Sequence, residues 1–430
     1  MVMKTLLIIL LGLSLTQNAP ENDSQVYFYF GNTNLIGIGP IEEGKKSGTW
    51  KIYKRVNELS APQASLDAVR GVEVEETFDL SKPVFQVTFK DNLPDGLMEE
   101  FYANGQIKKL VNFSNGKLNG EFFEFNLTGD VLLSGSYQDG LKEGEWNSYY
   151  KNGTKKSEYS YSKNLLHGTY KAFFPDGNLQ KSVEYQNDQE NGSYMRFHED
   201  GQPEIIGAFA KGELNGSWEN FDNLGELISK GEFLAGIKVG IWKEQVKDVQ
   251  GFYRVGEYKE GRKDGVWKVV DETGFVFQEE QFIEDRLVSF GEFKTKDGRL
   301  LDAGKLVNGT GKRLVYDREG YLLENGRYTK GVRTGVWYTY YPKSTVIASR
   351  GSYSSGEKVG TWRYFGFNGE SLGEEILDSG SSTVSQLGYT IKTPSMNKVD
   401  HFRRKNPSEP TSTNDLEFLM QFTSPNPYKF

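Results

Sequence analysis

The sequence holds no cysteine, 3 histidines and 13 prolines in 430 residues. Without cysteine there are no disulfides, no thiol nucleophile and no thiolate metal site. Three histidines leave little for a His-rich metal centre. No cofactor motif takes its place: Gly37-Ile38-Gly39 lacks the third glycine and the following helix of a dinucleotide site. Basic charge is short as well, with 51 Lys and Arg against 59 Asp and Glu for a formal net charge of −8. Phosphate binding needs a basic face that this balance does not supply, so a nucleic-acid partner is excluded. Long hydrophobic runs are missing too: the one apolar stretch, Leu6 to Leu15, falls short of the roughly 20 residues of a transmembrane span.

What is present in excess is glycine, at 49 residues, and aromatic side chains, at 7 Trp, 24 Tyr and 28 Phe. Ordinary chains carry roughly 7% glycine, so this is a turn-rich chain and not an ordinary helical enzyme. Lys4 followed by Leu6 to Leu15 and then polar residues from Thr16 has the layout of a secretory signal. We therefore expect a signal peptide over 1–19 and an exported protein of the periplasm, cell surface or extracellular space. A buried N-terminal strand is the alternative.

The glycines are periodic. Gly96, Gly120, Gly144, Gly168, Gly192, Gly216 and Gly240 are each 24 residues apart, and the series continues at Gly265, Ser289, Gly311, Gly335 and Gly360, with Gly48 two periods ahead. With this position as zero, all 7 tryptophans (Trp50, Trp146, Trp218, Trp242, Trp267, Trp337, Trp362) stand at +2, where Phe122, Tyr170 and Tyr194 replace them in other units. Position −4 is Gly, Asn or Asp in every unit except at Val307, which predicts a tight turn with positive φ. Aromatics recur at −7, as in Tyr137 and Tyr161, and at +5, as in Phe125 and Tyr149. A second glycine at +9 often follows Asn or Asp, as in Asn152-Gly153 and Asp200-Gly201, and such pairs between aromatic runs are the strongest short-range hairpin signal.

Each unit is thus two strands and two turns. The fold expected is all-β: an elongated array of about 13 β-hairpin repeats of 24 residues forming an antiparallel repeat sheet. Aromatic enrichment favours the pleated sheet over a helix. Positions +2 and +5 are an odd number apart, so either both faces carry an aromatic row or a bulge re-aims one. One hairpin cannot bury its aromatic face, whereas stacked units bury each other's.

The string Tyr137-Gln138-Asp139-Gly140-Leu141-Lys142-Glu143-Gly144-Glu145-Trp146 resembles the MORN repeat, and its Trp at +2 resembles the YwqK-type variant, whose members are often labelled antitoxins. The resemblance covers roughly 89–378. It implies a hairpin-repeat sheet with no catalytic residues to carry over.

The ends depart from the period. Residues 20–88 form a divergent or capping region with one repeat near 41–57, and Val72 stands where a repeat glycine is due. The array occupies 89–378. A Ser/Pro-rich tail spans 379–430, beginning with a linker at Ser379 to Ser385 and holding a basic cluster, Arg403-Arg404-Lys405. Its apolar stretch Leu416 to Phe422 is a candidate to cover the last hairpin's edge.

Candidate chemistry is thin. His167 and His198 fall at scaffold positions, Asp200 is a turn residue, and the Asn-x-Ser/Thr sequons such as Asn191 and Asn215 arise from turn chemistry. The one candidate site is the aromatic ladder Trp146, Tyr170, Tyr194, Trp218, Trp242, Trp267, Trp337 and Trp362, read as either core or partner-binding face. Rings about 10 Å apart, two strands per unit, match successive sugars of a glycan. The same rings are what stacking units need as core. No enzyme, catalytic residue, cofactor or metal is expected. The leading reading is an exported repeat scaffold whose partner is a protein or glycan of the cell envelope. The alternatives are a carbohydrate-binding surface protein and an antitoxin or immunity protein.

Overall fold

The computed structural model describes residues 25–29, 35–54, 79–246, 251–378 and 381–383. The signal peptide expected over 1–19, the basic cluster at 403–405 and the apolar stretch at 416–422 lie outside them. Among the described residues all secondary structure is strand, and every pairing is antiparallel between neighbouring segments of the chain. They fall in two compact units, one ending at Gln189 and one beginning at Glu190.

The hairpin Leu141–Tyr149 with Lys155–Ser162 shows how the first unit is built. Asp139 and Gly140, with φ of 50° and 87°, form a two-residue turn of the kind whose twist matches paired strands. The turn carries one orphan donor, and Gly140 N–H gives it to Leu118 O of the preceding unit at 2.8 Å. Where position −4 is Asn instead, its side chain adds a second link. Asn164 N–H donates to Lys142 O at 3.0 Å while Asn164 Oδ1 accepts Lys142 N–H at 2.6 Å. The tight turns are therefore laced to one another along one edge. The opposite loops are laced by tyrosine, with Tyr102 and Tyr150 donating to the carbonyls of Phe125 and Phe173 at 2.7 and 2.8 Å.

Position zero is a bulge. Glu143 pairs with Ser136 and Asn147 with Ser134, so Gly144, Glu145 and Trp146 face the single residue Gly135. Gly144 has φ 70° and lies opposite Tyr161 at −7 of the next unit. The bulge turns the +2 ring inward, between the −7 rings on either side: Tyr137 and Trp146 meet edge to face at 5.3 Å, and Trp146 and Tyr161 at 6.0 Å. Of the two alternatives for the odd spacing, the first holds in the preceding hairpin. Phe123 and Phe125 stack at 6.2 Å two residues apart, which puts +5 with +3 on the face opposite +2.

Gly48 pairs with Phe89 and Trp50 with Val87, in the register other units use. Two expectations need revision. Val307 is no exception to the turn rule, because the turn is Asn308-Gly309, two residues later, with φ 47° and 75°. Ser381–Thr383, read as linker, pairs with Ile376, Leu377 and Asp378.

In the second unit the hairpins continue to Arg286–Phe290, where one ladder ends; an eight-stranded ladder begins at Gly304–Val307. Between them the short pair Phe293–Lys294 and Leu300–Leu301 supplies Phe293, which is buried with Phe252, Phe277 and Ala303.

Asn164→Ala removes both the residue type that tolerates φ of 68° and the lacing bond. We expect a loss of about 1–2 kcal/mol in denaturant unfolding, partly recovered in Asn164→Gly. An unchanged midpoint would show that the turn row contributes nothing.

Candidate functional site

The structure places each ladder residue in the inward row of its own unit. Trp146, Trp242, Trp337 and Trp362 are each 1% exposed, Trp267 is 0% and Tyr194 6%, while Tyr170 and Trp218 are half-buried. A single sheet layer buries indoles this fully by three devices.

The first is a glycine under each ring. Gly39, Gly135, Gly207, Gly231, Gly256, Gly326 and Gly351 lie against Trp50, Trp146, Trp218, Trp242, Trp267, Trp337 and Trp362, and a Cβ on any of them would collide with the indole. These glycines have ordinary extended backbone and serve by having no side chain. Each stands eleven residues before its tryptophan, a second periodicity that the sequence reading passed over although it was there to be counted. Where this slot holds Val111, Tyr159 or Val183, the +2 ring is Phe122, Tyr170 or Tyr194.

The second device is the indole N–H. Trp242, Trp267, Trp337 and Trp362 donate at 3.2 Å to the carbonyls of Glu232, Glu257, Arg327 and Ser352, each ten residues earlier.

The third is a cation at −2 over the ring face. Lys238 Nζ lies 4.0 Å from the Trp242 centroid, Lys263 Nζ 4.2 Å from Trp267, Arg333 Cζ 4.2 Å from Trp337 and Lys358 Nζ 4.2 Å from Trp362. Lys142 covers Trp146 at 4.9 Å, and Lys46 covers Trp50 at 5.9 Å and Phe89 at 5.0 Å. Over Tyr170 and Trp218 the position is Leu166 and Leu214, and these two rings keep an open rim. Desolvation brings the Lys46 ammonium down to about 8.

The covering cations are pinned. Glu244 accepts from Lys238 and Lys263 at 2.7 Å each and from the Tyr258 hydroxyl at 2.8 Å. Burial pushes its carboxyl up, but the two ammoniums hold it down at about 2. The same burial, with Glu244 beside it, drives the Tyr258 hydroxyl upward.

One place in the row has charge where a ring is due. At +2 of the Ser289 and Gly311 units stand Gly291 and Arg313, and the slot eleven residues before Gly291 is Glu280. Glu280 is fully buried, accepts Arg254 Nε at 2.9 Å and pairs with the guanidinium of Arg313, itself 3% exposed. Gln278 completes the cluster, accepting from Arg313 at 3.2 Å and donating to Gly291 O at 2.7 Å. Burial pushes Glu280 upward, and the two guanidiniums override it to about 2.

His167 and His198 do scaffold work. His198 takes the place of the loop tyrosines, with Nε2 3.4 Å from Phe221 O, and His167 N–H donates to Ser160 O at 2.9 Å. Gly37 pairs with Ile52 inside a strand and Gly39 lies under Trp50, so neither belongs to a phosphate loop. Among the described residues no three His, Asp or Glu side chains gather as a metal site. Two open concavities lie among the described residues. One of about 360 Å³ is bordered by Ser217, Glu219, Lys230, Ile241 and Lys243, and one of about 300 Å³ by Arg299, Glu319, Tyr321 and Lys343.

Three stretches, residues 94–115, 142–163 and 166–187, match the family described as MORN repeat variant. Each begins two residues before position zero, so the family's phase is the phase of this ladder. No curated protein matches the sequence. Among solved structures, the crystal structure of TcdB2-TccC3-TEV is similar at 11% identity over 81% of this chain and 19% of that chain, with a TM-score of 0.16. The crystal structure of TcdB2-TccC3-Cdc42 gives 10% identity over 77% and 21%, with a TM-score of 0.14. A Photorhabdus luminescens Tc holotoxin pore with a TccC3 mutation gives 9% over 80% and 27%, with a TM-score of 0.11. The chain thus spans about a fifth to a quarter of those chains' lengths.

Trp242→Ala should cost about 3–5 kcal/mol and Gly231→Ala about 1–3 kcal/mol through overpacking. Hydrogen exchange should report both as lost protection over residues 231–258, and unchanged protection in either would contradict the ring-on-glycine contact. For pH, the carboxyls of Glu244 and Glu280 are depressed from 4.5 to about 2. Their contribution is complete above about pH 4.5 and is lost as pH falls toward 2. Denaturant unfolding of the second unit should weaken over that window, with a shallower slope in Glu280→Gln; an equal slope would remove Glu280 from the account.

Proposed function

We propose that this chain is a non-enzymatic, exported repeat scaffold that binds a protein partner through the outer face of its sheet. One observation carries the reading. Position +1 is exposed in almost every unit, immediately beside the buried +2 ring, and its identity is unrestricted: Leu97, Glu121, Glu145 and Thr169 in the first unit, Ser193, Ile241, Val266 and Val336 in the second. A frame that repeats while its outward residue varies is suited to presenting a chosen surface. In the second unit part of that surface is apolar, with Ile241 65% and Val266 50% exposed. Export rests on Lys4 and the Leu6 to Leu15 run. The YwqK-type variant is the finer family reading, supported by Trp at +2.

The test is capture from the native host's envelope fraction with Ile241→Asp/Val266→Asp beside the unsubstituted chain, followed by binding of the purified partner. Affinity is expected to fall at least tenfold in the double variant while circular dichroism is unchanged. Retention of the partner by that variant refutes the outer-face reading. Co-sedimentation with purified peptidoglycan, lost in Trp218→Ala, would establish the glycan alternative.

A further inference from the structure

In the second unit the sheet is held across most strand boundaries by a backbone ladder, but from Arg286–Phe290 to Gly304–Val307 no ladder forms among the described residues. One turn-row bond crosses, Gly309 N–H to Val288 O at 2.9 Å. The rest of the crossing includes two ion pairs. Arg313, on the far side, reaches back to Glu280 and Gln278 on strand Val276–Ile283. Arg318, in the next loop, grips Glu272 through both terminal nitrogens at 2.6 and 3.1 Å. We propose that this seam is a charge-latched joint on which the two ladders of the unit open and close, with Arg313–Glu280 and Arg318–Glu272 as the latch.

Three observations give the joint two discrete states. The ring that would continue the +2 row across the seam is replaced by Gly291 and Arg313, so the crossing rests on the guanidinium, which also lies over Phe290 at 4.6 Å, and on the ring contact of Phe293 with Tyr316 at 5.5 Å beside it. A buried guanidinium–carboxylate pair is specific in geometry, and separating it leaves each charge uncompensated until water reaches both. Glu280 is faced by Arg254 from strand Tyr253–Lys259 and by Arg313 from strand Thr310–Tyr316, with the Lys263 ammonium contributing from further off. Opening the seam therefore solvates the whole cluster at once and uncovers Phe277 and Phe293, buried beside it. An anion that competes for Arg313 or Arg318 releases the latch.

The absence of cysteine allows a direct reading. Val266→Cys and Val336→Cys, at exposed positions one in each ladder, take a pair of spin labels on the full chain. The distance distribution is expected to be narrow in that background and to broaden in Glu280→Gln, with amide exchange rising at least tenfold over 286–290 and 304–309. Glu244→Gln, which removes ion pairs inside one ladder, should leave the distribution narrow. Arg318→Gln removes only the outer half of the latch and serves if Glu280→Gln does not fold; it should broaden the distribution to a lesser degree. No broadening in a folded Glu280→Gln, no broadening in Arg318→Gln where that variant alone can be read, or equal broadening in Glu244→Gln, overturns the proposal.

Discussion

An indole lying flat on a glycine is the contact on which the rest of this structure depends. A sheet of one layer has no second layer to bury its apolar face, so its largest side chains must find cover within the sheet. Removing the side chain beneath the ring lets the indole settle against extended backbone, and the gain is the dispersion contact of a whole ring face. Over every indole but Trp218 the ring is then covered by a cation from position −2, whose charge is tolerated because the ring attracts it and, in the second unit, because Glu244 pairs with two such cations. Size matching follows: glycine below Trp, a larger residue below Phe or Tyr.

The Glu280 cluster is the same geometry solved with charge. The carboxylate stands where a glycine would lie beneath a ring, and Arg313 stands in the next ring's place, with Arg254 offsetting the desolvation from the other side. This solution holds its neighbours by direction and not by area. A stacked ring makes contact with whatever slides against it, whereas a guanidinium satisfies its partner in few orientations. The array therefore has stretches that are cohesive and one seam that is specific.

Much of this was legible in the residues. The 24-residue period, the turn at Asp139-Gly140 and the inward row at +2 and −7 follow from spacing and turn chemistry. The glycines at Gly135 and Gly231 escaped notice because a glycine without positive φ leaves no turn signature and was lost among those that do. The Lys238 and Lys263 cover escaped because a lysine two residues before a glycine reads as a solvated strand residue until the ring it lies on is placed. Two frame shifts hid real regularity: an insertion separated Gly48 from its partner strand at Phe89, and the turn at Asn308-Gly309 sits two residues late. Glu280 was invisible because its significance lies in what its slot usually contains. The outer face was legible as composition and silent as to partner, since nothing in the repeat constrains position +1.

The eleven-residue separation between each glycine and its tryptophan is shorter than the period, and this has a consequence for how such a chain can change length. A block that runs from one such glycine, Gly231 for instance, through the next 24 positions carries both the ring and the backbone on which that ring rests. Copying or deleting the block in one piece leaves every indole seated, and the pieces on either side meet a neighbour of the kind they already had. A cut between glycine and indole strands one without the other. The unit of inheritance in this chain is therefore fixed by ring packing, and gene duplication in that frame adds surface without disturbing the core.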